Sequence, residues 1–560
     1  MRVAGFYPIR KMLGWQLRRE LAVFDRATHR PRQVQDDLLL RILRNQQATA
    51  FGQDFGFRAV ASRDDFRRRV PVLRYEDHEP YIARCRKGDH NALLADPHIH
   101  MFAMTSGTTA SRKYIPVTAQ YLHDYKRSWS LWGLRVWQMH PAMRLRPITQ
   151  LSGDWDEFRT EAGIPCGALT GLTARNQKLI ARILYTIPPQ TARIKDAAAK
   201  YYAVLRFSIP RKVGMLIAAN PSTLIHLART GNQEREALIR DIHNGTLNPR
   251  LNIAPDIRAA LEMKLAPNPK LARLLEAAAE RAGSLYPKEY WGPSRFLVGT
   301  WTGGSMGAYL RDFPRYFGDA PIRDIGLIAS EGRMTLPFTD GTPGGALDIT
   351  THYFEFIPED EIDSPRPTVL AVDEVEQGKR YFILMTTAYG LYRYNIFDLV
   401  QVTGFHNKTP IVEFLSKGSH FSSVTGEKLS EYHVTKSMAE VTRALDLNLT
   451  SYAVAPCWDD ERPYYGLFVE ANDLPGEAMG RQIATTLDQH LRQLNTEYDS
   501  KRDSGRLGAM RLELVPKGFW QQWDKQRLAK TGGTLEQYKH PCLINDLKFR
   551  ENVPVLQEIV

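Results

Sequence analysis

Apolar residues recur at helical spacing through residues 33–45, QVQDDLLLRILRN, and give way to a glycine-punctuated stretch from Phe51 to Phe57 that reads as a loop. From about residue 120 to 290 the same helical periodicity dominates. Ala197–Leu205 and Asn220–Thr230 are its clearest instances, the second opened by Asn220 and Pro221 as cap and first-turn residues. The texture changes near residue 295. RFLVGTW, DIGLIAS, THYFEFIP, PTVLAVDEV and KRYFILMTT are short apolar or alternating runs broken by Gly, Pro and Asp, a pattern that predicts strands. Strands continue in the last part of the chain, YYGLFVE at 464–470 and MRLELV at 510–515. One helix there places Ile483, Leu487, Leu491, Leu494 and Tyr498 on a shared face. The pattern predicts a large α/β domain over 1–410, with a helix-rich insert at about 120–290, and a smaller α+β domain over 411–560.

Composition narrows the class. At 560 residues the chain exceeds what one core usually serves, and 43% hydrophobic with 24% charged residues is ordinary for a soluble protein. No run approaches the roughly 20 apolar residues of a membrane span. Cys85, Cys166, Cys457 and Cys542 are scattered and form no CxxC pair, which argues against a disulfide framework or thiolate metal site and fits a reducing, cytoplasmic setting. The net charge of +12 admits nucleic acid, an anionic surface or small anionic substrates. Nucleic acid is set aside because the basic residues are spread out, with no basic patch interleaved with aromatics. The N-terminus, with Arg2, Arg10, Lys11, Arg18 and Arg19 and no acid before Glu20, reads as a basic amphipathic helix packed on the body, with a transit peptide as the alternative.

Several stretches carry candidate chemistry. After the apolar MFAM come Thr105, Ser106, Gly107, Thr108 and Thr109, where the glycine lets N–H groups and hydroxyls converge on an anion. A plain Ser/Thr-rich turn uses the same residues, and the GxxxxGK[ST] loop is absent. In GTWTGGSMGAYL, Gly303 and Gly304 admit a flat or phosphorylated ligand, or simply a tight turn. In LIASEG, Ser330 and Glu331 end an apolar strand, where a carboxylate can hold Mg²⁺ or substrate, or sit solvated in a loop. YRYNIFDLV sets Arg393 and Asp398 among aromatics; the Asp can accept both hydroxyls of a ribose, or pair with the Arg across a bend. Lys428 in GEKLSE and Lys539 in GGTLEQYKHPC stand in Gly-flanked segments where a lysine can neutralise phosphate. Tyr125, Trp129, Trp132, Met215 and Trp301 suit the apolar lining of a substrate pocket, and suit a core equally.

Taken in order, TSGTTASRKYIP, TWTGGS, LIASEG, YRYNIFDLV, GEKLSE and QYKHP resemble the auxin-responsive Gretchen Hagen family of acyl-acid amido synthetases, part of the adenylate-forming superfamily. FRRRVPVLRYEDHEPYI, IPPQTARIKD, NPSTLIHL and LDQHLRQLNTEY extend the similarity nearly end to end. The resemblance implies a small C-terminal domain that rotates against the large one, with the active site in the cleft between them. It implies ATP and Mg²⁺ as cofactors, and a small carboxylic acid and an amino acid as substrates. The acid's carboxylate would attack the α-phosphate to give an acyl-adenylate and pyrophosphate, and an amine would then displace AMP. By position, Ser106, Gly107, Thr108 and Thr109 would grip phosphate, and Gly303 and Gly304 would line the adenine and acyl site. Ser330 and Glu331 would face the nucleotide and Mg²⁺, with Asp398 on the ribose and Arg393 beside it. Lys428 and Lys539 would come from the small domain, Lys539 near the α-phosphate. An acyl-CoA ligase and a catalytically silent nucleotide-binding protein are the alternatives, and a monomer is expected. The chain departs from many relatives at Ala110, Ser111 and Arg112, where a second glycine is common, and at Tyr392 to Asp398, where many read YRxGD.

Overall fold

The structure, a computed structural model, describes residues 18–105, 113–175, 184–362, 364–418, 429–449, 451–459, 463–503, 507–531 and 538–560, with positions 421, 422, 424, 425, 427 and 505 between them. The expected helix over the basic N-terminus falls mostly outside these residues; 18–27 are helical.

Helix α1 (Pro31–Gln46) starts on a proline, whose missing N–H costs nothing at a first turn, and buries Leu38, Leu39, Ile42 and Leu43. The expected loop after it is partly helical. Thr49 caps Ala50–Asp54 by accepting from the Gly52 N–H, and only Gly56, at φ +64°, turns the chain out. A local cap here outweighs the glycine signal.

Strands β1 (Met101–Thr105), β2 (Lys113–Val117), β3 (Ile148–Gln150), β4 (Phe158–Arg159), β5 (Pro165–Gly167), β6 (Met215–Ile217), β7 (Leu297–Thr300) and β8 (Ile322–Asp324) form two sheets, of order β2-β1-β5-β4 and β3-β6-β7-β8. In the second every pair is parallel. Its strands β3 and β6 lie inside the segment that periodicity reads as helical, because three residues are too few to register in a helical window. Around them run α2 (Ala119–Met139), α3 (Ala197–Ser208) and α4 (Pro221–Gln233).

The short pair β9 (Ile328–Ala329) and β10 (Gly332–Arg333) flanks the Ser330–Glu331 turn. A seven-stranded antiparallel sheet follows, from β11 (Thr335–Leu336), β12 (Gly345–Leu347), β13 (Tyr353–Pro358), β14 (Leu370–Ala371), β15 (Arg380–Thr386), β16 (Tyr394–His406) and β17 (Thr409–Lys417), in order β11-β12-β17-β16-β15-β13-β14. Since β17 pairs with β16 as far as Lys417, the large sheet extends past residue 410. The predicted strand in PTVLAVDEV shrinks to Leu370–Ala371.

The short pair β18 (Phe421–Ser422) and β19 (Leu429–Ser430) leads into the C-terminal domain. There α5 (Glu431–Ala444) and α6 (Glu477–Leu494) accompany β20 (Tyr452–Trp458), β21 (Pro463–Glu470), β22 (Arg511–Val515) and β23 (Gln557–Ile559), a sheet in sequence order. Ile483, Leu487 and Leu491 are buried as expected, but the helix stops before Tyr498. Asn495 takes an extended backbone, and its side-chain oxygen accepts from the Tyr498 N–H at 3.0 Å, which starts α7 (Thr496–Asp503). Asparagine competes for backbone partners in this way and divides helices. Tyr498 is buried all the same, its hydroxyl donating to Asp488 at 2.7 Å. Arg311 donates to the Leu447 carbonyl at 2.8 Å, and Asn448 to Asp312 at 2.8 Å, tying the small domain to the large one.

Candidate active site

In an open parallel sheet, ligands bind beyond the carboxyl ends of the strands. At that edge β7 runs into Trp301 and Thr302, and β8 ends on Asp324. Thr302 donates from its N–H (2.7 Å) and hydroxyl (2.8 Å) to one Asp324 oxygen, and the Gly326 N–H donates to the other at 2.6 Å. Burial nevertheless pushes the Asp324 carboxyl up to about 6. Trp301 donates to the Gly326 carbonyl at 3.0 Å, which holds its ring at the edge. Gly303 and Gly304 then pass close to β17. A Cβ on Gly303 would lie 3.2 Å from the Phe414 carbonyl oxygen, and Gly304, at φ +58°, would bring one to 3.1 Å from that of Leu415. Both glycines therefore serve close backbone approach.

The small domain meets the large one at this edge. The Lys539 ammonium lies 4.5 Å from the ring centroids of both Trp301 and Phe414. Asn220, at the start of α4, donates its side-chain amide to the Tyr538 carbonyl. On the other side Tyr538 donates to Asp524 at 2.7 Å, and the Cys542 N–H donates to Glu431 at 2.7 Å. Lys539 thus rides on a braced segment. Lys428 lies outside the described residues. Its neighbour Glu427 is anchored: burial raises its pKa, but Tyr465 and the amides of Val424 and Thr425 donate to it and bring the net shift below the ordinary value.

Glu331 is buried in the turn between β9 and β10, where the Tyr394 hydroxyl donates to its Oε1 at 3.2 Å. The same hydroxyl accepts from the Lys113 ammonium at 3.5 Å. Burial, helped by Glu331, pushes the Tyr394 phenol well above its usual range, so it stays a donor. Ser330 donates to the Met104 carbonyl at 3.2 Å and accepts at its own carbonyl from Tyr121 at 2.9 Å. Met104 and Lys113 stand on β1 and β2, the two strands that lead into and out of residues 106–112. Ser106, Gly107, Thr108 and Thr109 lie outside the described residues, but the stem that leads into them bonds Ser330 directly and the stem that leads out reaches Glu331 through the Tyr394 hydroxyl. No hydrogen bond among the described residues reaches Glu331 Oε2. Nor do three or more His, Cys, Asp or Glu residues among them gather into a metal cage. One carboxylate oxygen of this kind suits Mg²⁺, which takes one or two carboxylates and completes its shell with phosphate oxygens and water.

Asp398 is buried on β16, in register with Lys417. The residue before it, Phe397, takes φ +59°, in the left-handed region where glycine is at ease. Gly418 donates its N–H to the Phe397 carbonyl at 2.6 Å, and Arg74 packs 5.3 Å from the ring, which holds the turn. Arg393 departs from expectation. Its buried guanidinium binds Glu355 at 2.9 Å and the carbonyls of Val70 (2.6 Å) and Arg67 (3.3 Å), and Arg67 pairs with the other Glu355 oxygen at 3.0 Å. Its donors are taken up by Glu355 and these carbonyls, and Arg393 braces the body beneath the site.

The apolar candidates divide. Met215 and Trp132 are core, packed with Leu131, Leu297 and Ile325. Trp301 lies under Lys539. Tyr125 is stacked beside Tyr121, 6.0 Å between centroids, and Trp129 covers the Arg333 guanidinium at 4.4 Å. Tyr394 and Asp324 went unnoticed in the sequence. An Asp closing a parallel strand and a tyrosine beside the Arg393–Asp398 motif were the available signals.

Family models match the chain in three consecutive pieces: the GH3 family N-terminal domain over residues 20–322, the central domain over 345–417 and the C-terminal domain over 432–548. The chain belongs to the GH3 family. Among GH3 relatives it is 24% identical to jasmonoyl–L-amino acid synthetase JAR4 of Nicotiana attenuata, covering 94% of this chain and 92% of that one. It is 26% identical to indole-3-acetic acid-amido synthetase GH3.8 of Oryza sativa subsp. indica, covering 93% and 90%. The fold matches that of AtGH3.15 acyl acid amido synthetase in complex with 2,4-DB, with TM-score 0.84 at 21% identity and 97% of each chain covered. A 2-hydroxyisobutyryl-CoA ligase in its postadenylation state shares the fold more loosely, with TM-score 0.55 at 14% identity over 94% of this chain and 93% of that one. The GH3 chain is thus a large α/β body carrying a smaller C-terminal domain, in the fold it shares with these structures. No helix among its described residues is long and apolar enough to cross a membrane.

Proposed function

We propose that this GH3 protein couples ATP cleavage to amide formation: it converts a small carboxylic acid to an acyl-adenylate with release of pyrophosphate, then passes the acyl group to the amine of an amino acid. The observation that carries the reading is Lys539, a cation of the small domain lodged on Trp301 and Phe414 at the carboxyl edge of the parallel sheet. Attack of a weak carboxylate nucleophile on phosphorus needs positioning and charge neutralisation more than a covalent side chain. Lys539 supplies one charge at the α-phosphate, and Lys428 a second from the small domain. Ser106, Gly107, Thr108 and Thr109 form the phosphate loop, and Ser330 supports it from the adjoining turn. Asp398 takes the ribose hydroxyls, with Gly303 and Gly304 beside the adenine. Glu331 is the residue that would hold Mg²⁺, which when bound neutralises charge on the departing pyrophosphate. Tyr125 and Trp129 border the acid, and Trp301 borders the cleft.

The four free cysteines, all buried, support a reducing, cytoplasmic setting. Acid-dependent exchange between ATP and pyrophosphate tests the first step. Offering amino acids against coenzyme A tests the second, and thioester as the sole product would sink the amide assignment. That outcome would favour an acyl-CoA ligase, a reading supported by the looser likeness to the CoA ligase fold.

A further inference from the structure

Lys539 faces the large domain, while the residues on either side of it turn back into the small one. Asp524, on α8 (Phe519–Thr531), takes both: its Oδ1 accepts from the Tyr538 hydroxyl at 2.7 Å and lies 2.9 Å from His540 Nδ1. The second ring nitrogen of His540, Nε2, lies 3.1 Å from the Tyr452 carbonyl of β20. Carboxylate and carbonyl only accept, so either neutral tautomer of the ring donates one hydrogen bond here and the imidazolium donates two. Trp520 and Trp523 wall the buried ring edge-on, at 4.8 and 6.0 Å between centroids. Lys539 between these neighbours is exposed, its ammonium over Trp301 and Phe414.

The support runs further in both directions. Glu470 accepts from the Gly518 and Trp520 N–H groups at 2.8 and 3.0 Å, which fixes α8 at its start. Cys542, past His540, donates its N–H to Glu431 and accepts at its carbonyl from the Val454 N–H at 2.8 Å. From the large domain, the Asn220 side chain holds the Tyr538 carbonyl. A lysine carries its charge on a flexible four-carbon stem, so the charge is placed only as well as the backbone beneath it. One carboxylate oxygen that binds both flanking side chains draws them inward and leaves the stem the outward direction, into the cleft.

We propose that Asp524 and His540 are positioning residues for Lys539. By clamping the residues on both sides of the lysine, they set its ammonium where the α-phosphate of the nucleotide lies. The proposal rests on the activation reading above, which brings that phosphate to Lys539.

Calorimetric binding of AMP and of adenosine to the full-length protein tests it, with no need for the acid. AMP carries the phosphate and adenosine lacks it, so the ratio of their Kd values reads the lysine's charge. Wild type should favour AMP by about tenfold or more, the size of one contact to a charged donor, and Lys539→Ala should remove most of that preference. Asp524→Ala should cut the preference about fivefold while adenosine stays within about twofold of wild type. Joining Asp524→Ala to Lys539→Ala should cost nothing beyond Lys539→Ala alone, because the clamp then has no charge to set. If Asp524→Ala does not fold, as read by thermal unfolding, His540→Gln takes its place with the same expectations. A role in the fold alone would weaken AMP and adenosine alike, or add its loss to that of Lys539→Ala, and either result overturns the proposal. So does an unchanged preference in a folded variant. A wild type without preference for AMP, or a Lys539→Ala protein that keeps it, takes Lys539 away from the phosphate and overturns the activation reading as well, so the two failures are distinguishable.

Discussion

Tyr394→Phe removes one oxygen and leaves the ring, which still packs edge-on to His78 at 5.7 Å. That oxygen joins Lys113 to Glu331, at 3.5 and 3.2 Å. Hydrogen bonds to charged groups are worth about 1.5–3 kcal/mol each. Both bonds here are long, so a combined loss near the bottom of that range, about 2 kcal/mol, is expected. If it falls on the nucleotide-bound state, kcat/KM for ATP drops roughly 30-fold, at about 1.4 kcal/mol per factor of ten. Because burial keeps the phenol protonated, the deficit should be flat from pH 6 to 9. The assay is acid-dependent pyrophosphate exchange across ATP concentrations, alongside thermal unfolding. A purely structural tyrosine would lower the melting temperature and leave kcat/KM for ATP within twofold of wild type; that result would refute the bridging role.

Lys539→Ala should slow adenylation about 10²–10³-fold, the usual loss of one preorganised charge, and slow the use of preformed acyl-adenylate far less. Equal losses in both half-reactions, measured by single turnover, would contradict its place at the α-phosphate. Asp398→Ala should weaken ATP binding about tenfold by calorimetry, since it removes acceptors for two hydroxyls, and unchanged affinity would take it out of the site. Asp324 holds its proton to about pH 6 when folded and to about 3.8 when unfolded. The folded state therefore binds the extra proton between those values, and stability falls as pH rises through that window. The fall should reach about 3 kcal/mol, and Asp324→Asn should flatten it in urea melts at pH 4 to 6.5. An unaltered slope would assign the window to other groups.

Local patterning made the element order, most of the strand-rich block and the six motifs legible, because periodicity, caps and turn chemistry act over a few residues. The places where it failed have local causes too: the three-residue β3 and β6 are too short to register, and Asn495 breaks a continuous apolar face. The site itself is a different matter. Lys113 and Tyr394 are 281 residues apart, and Tyr394 and Glu331 are 63 apart. Arg393 and Asp398 look like partners in sequence, yet Arg393 goes to Glu355, a buried carboxylate 38 residues away that the closed sheet brings to it. The chain alone names the residue types that adenylate chemistry requires and the order in which they come. Which of them meet and which brace the body follow from burial and competition among partners, and those exist only once the sheets have closed around them.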